Sequence, residues 1–288
     1  MRWMYRKTTQ LKTTHMTPTI IITNDFSESA HNAIDYTCKL IGDSQINIQL
    51  LHIYTMPVNY TSDAVALSSL KDDYDINQDN LDHDVERTRE KYPHLNILGK
   101  TVVGGLIETL RDQIDEVKPE IIVMGAVGDY ENLWMWDSEL LNSLTSLAVP
   151  LLLVPAHVAF TPITNIGFAC DYRTVLASRQ VSFLKWLVGH TKAGLHVVHV
   201  STTKLEVTAV EKENEAIVHD LLDDVKPQYY GIENPHVIES IASFVKEHNL
   251  DFLVVIPHSH GVWYNIFHQS HTKQLAKLNN MPILALHD

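Results

Sequence analysis

The fold this sequence predicts is a duplicated α/β chain, two consecutive units that each carry an open parallel sheet of five strands. Three observations predict it. The chain has 288 residues, about twice the ~150 of an ordinary domain. Short, near-continuous apolar runs, as in strands buried on both faces, alternate with segments of helical periodicity. The second half also repeats the spacing of the first: 27 positions separate Asp25 from His52, and 28 separate Asp171 from His199. The expected organisation is a disordered basic arm over 1–17, a first domain over 18–156 and a second over 157–288.

The first apolar run, Thr19–Thr23, is β-branched and reads as a strand. Asn24 and Asp25 break it, and Ser27 is a good helix N-cap. Ala30, Ala33, Ile34, Cys38 and Ile41 then recur at helical spacing until Gly42 stops the helix. Ile46–Tyr54 forms a second strand. Residues 55–76 read as polar and irregular, and 77–92 as a charged, weakly amphipathic helix. Ile97–Val103 is a third strand, followed by a clear helix through Leu106, Leu110, Ile114 and Val117. Glu120–Met124 is a fourth strand, a helix is expected around 137–148, and the strand Pro150–Val154 completes the unit.

The second unit follows the same order. Its strands are Ile163–Cys170, Leu195–Val200, Gln228–Ile232, Phe252–Ile256 and Pro282–Leu286. Val175, Val181, Leu184, Trp186 and Leu187 mark its first helix, with further helices at 208–222 and 237–248. The apolar last strands of the two units are expected to pair across the repeat axis as an intramolecular pseudo-dimer. Two such chains would be able to associate further as a homodimer. His52 and His199 are expected at the rim of the sheet.

Composition excludes several classes of function. Lys and Arg total 22 against 35 acids, a formal net charge of −13, which repels phosphate backbones and anionic lipids. Nucleic acid and membrane are therefore not the expected partners. No run approaches the ~20 apolar residues of a membrane-spanning helix. Cys38 and Cys170 are too few for a disulfide scaffold and sit among apolar neighbours, as buried free thiols do. The basic arm has no apolar signal core, so the cytoplasm is the expected compartment, and Met1 and Met16 both stand as starts. Only 11 residues are glycine, about half the usual share of ~7%. Few phosphate-cradling loops are available, because backbone amides approach phosphate most closely where glycine removes the side chain.

Four motifs in order carry a family resemblance: Thr19 through Glu28, Leu50–Ile53, the run Ile121–Gly125 continuing to Gly128, and Val149–Pro155. Together they resemble the universal stress protein family over residues 18–156. The second copy is similar to the degenerate C-terminal half of tandem members. The resemblance implies two five-stranded, Rossmann-like sheets of the adenine nucleotide alpha hydrolase-like kind. It also implies, in many members, an adenine-nucleotide (ATP) site. Carried onto this chain, that site takes Asn24 and Asp25 after the first strand and the backbone at Ile53 after the second. Its phosphate loop takes Gly125, Gly128 and Ser138.

The sequence departs from the family's loop. The final glycine falls on Asp137, with eight residues rather than nine between it and Gly128. Asp129 and Glu131 lie in that segment, and each would cost on the order of 1 kcal/mol near a polyphosphate unless a metal intervenes. Trp134 and Trp136 read either as packing or as a stack for adenine. Asp25 reads equally as a cap on the following helix, and Gly125 and Gly128 as the means of a tight turn.

No G-x-S-x-G, H-E-x-x-H, C-x-x-C or lysine-bearing phosphate loop is present, so catalytic residues are not assigned. The expectation is a non-enzymatic stress-response binding and signalling module with an unidentified protein partner and a degraded ATP-binding loop. One alternative is an ATP sensor or slow ATPase using Asp25, Gly125, Gly128 and Ser138. Another is a metal- or small-ligand-binding protein using His258, His260, His268 and His271. The default for those histidines is solvated side chains, with no metal.

Overall fold

Strands whose side chains are apolar on both faces need a cover on each side. The computed structural model describes residues 17–55, 64–126, 147–173, 175–201, 208–256 and 281–287, with 64–70 as backbone alone. The first half carries β1 (Thr19–Thr23), β2 (Asn47–Tyr54), β3 (Asn96–Val103), β4 (Ile121–Ala126) and β5 (Leu151–Pro155). The second carries β6 (Asn165–Ala169), β7 (Gly194–Ser201), β8 (Gln228–Glu233), β9 (Phe252–Val255) and β10 (Ile283–Ala285). Helices α1 (Glu28–Ile41), α2 (Ala64–Lys91) and α3 (Leu106–Val117) belong to the first half; α4 (Ser178–Thr191), α5 (Ala209–Leu222) and α6 (Val237–Glu247) belong to the second.

Among the described residues the strands form one open sheet, ordered β3-β2-β1-β4-β5-β10-β9-β6-β7-β8. Each half therefore has the same internal order, and pairing within each half is parallel. The two halves meet where β5 and β10 run antiparallel, with Leu151, Leu152 and Leu153 facing Ala285, Leu284 and Ile283. This is the pairing expected of the two apolar last strands.

Alternation sorts the side chains into two layers. Ile20, Ile22, Val123, Leu152, Val254 and Leu284 point to one core, beneath α1, α2, α4 and α5. Ile21, Ile122, Leu151, Leu253 and Ile283 point to the other, beneath α3 and α6. The helix boundaries follow local chemistry. Ser27 Oγ accepts the amide of Ala30 at 3.2 Å and starts α1. Gly42, at φ +53°, ends it in a conformation a side chain resists.

Two expectations are corrected. Helix α2 begins at Ala64, thirteen residues before the expected start, because Ala64-Val65-Ala66-Leu67 and Leu70 include strong helix formers despite their polar surroundings. Val175 is not on a helix; it is 44% exposed ahead of α4, and the neighbouring Leu176 is buried in its place. Among the described residues no helix is long and apolar enough to cross a membrane.

The seam between the halves is a testable element. Leu152 is 1% exposed and sits directly opposite Leu284. Leu152→Ala is expected to lower unfolding free energy by about 2–5 kcal/mol, measured by urea denaturation of the full chain.

Candidate functional site

In an open parallel sheet, ligands bind beyond the carboxyl ends of the strands, where strand order reverses. In the first half that point lies between β1 and β4, since β1 pairs with β2 on one side and β4 on the other. Asn24, Asp25 and Gly125 all fall at this end of the sheet, and Ile53 lies at the same end of β2. Gly128 and Ser138 lie outside the described residues, as do Trp134, Trp136 and the histidines at 258, 260, 268 and 271.

Asn24 is buried and hydrogen-bonded on every side. Its amide donates to the Leu51 carbonyl at 2.8 Å, continuing the ladder one residue past β1. Its Oδ1 accepts the Phe26 amide at 2.9 Å, and its Nδ2 donates to Asp84 Oδ2 at 2.8 Å. Asp84, 4% exposed on α2, also accepts from His31 Nε2 at 2.9 Å and pairs with Arg87 at 3.0 Å. A buried carboxylate is tolerable only with such partners. The entry into α1 is thereby tied to α2 through one charged group.

Asp25, by contrast, is exposed. Its Oδ1 accepts both the amide of Ser27, at 3.1 Å, and the Ser27 hydroxyl, at 2.5 Å. The same hydroxyl contacts Ser29 Oγ at 2.8 Å. The carboxylate thus closes the turn that leads into α1, as the capping reading of Asp25 expected.

Gly125 has a packing reason of its own. A Cβ there would lie 2.4 Å from the Ser29 carbonyl carbon and oxygen and 2.7 Å from the Ala30 nitrogen. The first turn of α1 rests directly on β4, and only glycine permits that approach. Ile53 faces Val102 across β2 and β3 and packs, half-buried, against the core under α3.

Each half repeats one further device. Phe26 and Tyr172 take positive φ, +64° and +55°, a conformation that costs a side-chain-bearing residue about 1–2 kcal/mol. Each ring is held by a histidine from the adjacent strand. Phe26 stacks on His52 with centroids 4.4 Å apart, and Tyr172 packs on His199 at 4.9 Å. His52 Nδ1 donates to the Asn24 carbonyl at 2.7 Å, and His199 Nδ1 to the Cys170 carbonyl at 3.0 Å. His52 is therefore buried rather than lying open at the rim. The described thiols are equally enclosed: burial pushes Cys38 and Cys170 up to about 12, far from the thiolate form.

Sequence reasoning missed Asp84, His31 and Arg87. The available signal was an acid on the buried stripe Leu81, Asp84, Val85 and Thr88 of an otherwise charged helix. Among the described residues no three His, Cys, Asp or Glu side chains gather as metal ligands. A nucleotide cradle needs open space over its glycine and an acid free to receive the base. In the described part of the crevice α1 rests on Gly125 and Asp25 Oδ1 is tied to Ser27, while the rest of the loop lies outside the described residues.

No protein-family model matches the chain, and no curated protein matches it. Solved structures do resemble it over nearly their whole length. A universal stress protein from Archaeoglobus fulgidus DSM 4304 matches with a TM-score of 0.66 and 13% identity, over 93% of this chain and 96% of that one. A putative universal stress protein from Pseudomonas aeruginosa UCBPP-PA14 matches at 0.55 and 14%, over 94% and 93%. A functionally unknown protein from Pseudomonas aeruginosa PAO1 matches at 0.55 and 14%, over 94% and 92%. The chain has the fold of these proteins.

Two substitutions test the geometry. Gly125→Ala is expected to destabilise the full chain by about 3 kcal/mol, since the opposing atoms are backbone and cannot rotate away. Asp84→Ala leaves the buried Asn24 amide without its acceptor, while His31 and Arg87 stay part-exposed to water, and is expected to cost about 1–3 kcal/mol. Urea unfolding measures both.

Proposed function

We propose that this chain is a tandem universal stress protein acting as a non-catalytic, cytoplasmic binding and signalling module. Its working surface is its protein-facing exterior rather than a nucleotide cradle. The fold likeness supports the stress-protein reading. The observation that carries the rest is the state of Asp25. The acid that would receive an adenine nucleotide instead accepts the amide and hydroxyl of Ser27. With Gly125 packed under α1, both the acid and the one described glycine of the cradle serve the fold. Joining of the two sheets through β5 and β10 supports a pseudo-dimer within one chain, and further association as a homodimer belongs to the same proposal.

A second reading has its own support. The reversal of strand order between β1 and β4 places a crevice where α/β sheets commonly bind nucleotides, with the N-terminal end of α1 beside it. An ATP sensor would use it. Titration calorimetry of the full chain with ATP and Mg²⁺ separates the two. The proposed module gives no binding heat at high micromolar protein. A saturable one-site isotherm overturns it in favour of the sensor.

A further inference from the structure

The cores of the two halves share one face of the sheet, and there α1 and α4 lie on either side of the seam. Between them is a cavity of about 490 Å³, within the roughly 300–1,000 Å³ range of small-molecule sites. Its floor is the sheet, through Ile20, Val123 and Leu152. Leu40 and Ile41 of α1 form one wall, and Phe183, Trp186 and Leu187 of α4 form the other. It lies apart from the carboxyl-end crevice, because Pro18, Glu120 and Ile121 mark the starts of β1 and β4.

Repetition within the chain indicates what such a space holds. Helices α1 and α4 are both fourteen residues long, and counted from their first residues Asn32 pairs with Ser182 and Tyr36 with Trp186. Over α1 the connection between the halves packs on the helix. Asn32 Nδ2 donates to the carbonyls of Pro155 and Val158 at 2.8 and 2.9 Å. Phe160 then sets its ring edge-on against Tyr36, with centroids 5.2 Å apart. Over α4 the matching residues, Ser182 and Trp186, line the cavity.

Trp186 is held for this role. Its ring stacks on His190 at 5.0 Å and 12°. His190 Nε2 in turn donates to the Leu40 carbonyl at 2.8 Å, which fixes α4 against α1. The indole remains 38% exposed. Charge at the rim narrows the ligand class. The Arg179 guanidinium donates to the carbonyls of Ala148 and Pro119, at 3.2 and 3.1 Å, and Glu120 also lines the cavity, so one charge of each sign leaves the rim selective for neither a cation nor an anion.

We infer that this cavity binds a small, uncharged aromatic molecule, whose ring lies against Trp186 as Phe160 lies against Tyr36. The inference does not depend on the proposed function, since it uses the opposite end of the sheet. The test is fluorescence titration of the full chain with N-phenyl-1-naphthylamine, an uncharged aromatic amine that brightens in apolar surroundings. Saturable binding at one site per chain is the expected result. Ser182→Trp and Gln45→Trp, substitutions at exposed positions on opposite walls, each place an indole in the space. Each is expected to weaken binding at least tenfold with an unchanged unfolding midpoint. Absence of saturable binding overturns the inference. So does probe binding that neither folded variant alters, because the probe would then report a general apolar surface.

Discussion

Three residue pairs between β5 and β10 hold two sheets together as one. In either half alone, the last strand would be an edge of unpaired amides and carbonyls flanked by fully apolar side chains. Such edges recruit other chains unless they are covered. Here each last strand covers the other, and Leu151 through Val154 and Ile283 through Leu286 are all essentially buried. The cores then run across the seam without a break. Both α1 and α4 pack on one shared face, and His190 and Arg179 reach from the second half to backbone carbonyls of the first.

The carboxyl end of the first half shows what occupies polar side chains when a crevice is built for shape. Asn24 and His31 both bond the buried Asp84 carboxylate, and Asp25 with Ser27 forms a second, exposed group. Both serve the sharp turn from β1 into α1, which Phe26 enters with a strained backbone. The matching turn at Tyr172 has the same backbone sign and the same histidine support, with Cys170 in place of Asn24. Shape is thus common to the two halves, and the polar partner differs: in the second half the buried Asn214 of α5 donates its Nδ2 to the Tyr172 carbonyl at 2.9 Å.

Much of this was legible in the sequence, for physical reasons that differ by element. The strands near the seam announce themselves because burial on both faces demands unbroken apolar runs, as in Leu151–Val154. Helix α1 was bounded by a serine and a glycine whose preferences are local, and both act as expected. Helix α2 was cut short because its first turns carry no apolar stripe strong enough to outweigh their polar neighbours. Asp84 was missed because a charge on a charged helix looks solvated until a partner 60 positions away, Asn24, is seen to meet it. The role of Gly125 was undetermined between turn, cradle and packing, since the sequence does not state how near α1 comes to β4. The space beside Trp186 was invisible for the same reason: it depends on which helix lies across the seam.

The join between the halves is not truly symmetric. Leu153 meets Ile283 on one side of the central Leu152–Leu284 pair, while Leu151 meets the much smaller Ala285 on the other. Two separate identical subunits related by a twofold axis would have to present the same flanking pair twice, since a contact of one residue with a second recurs with the two exchanged. Tethering removes that requirement. One polypeptide also supplies each half to the other at a local concentration that dilution cannot lower. The two sides of the seam are therefore free to diverge in side-chain volume while the backbone ladder between them stays intact.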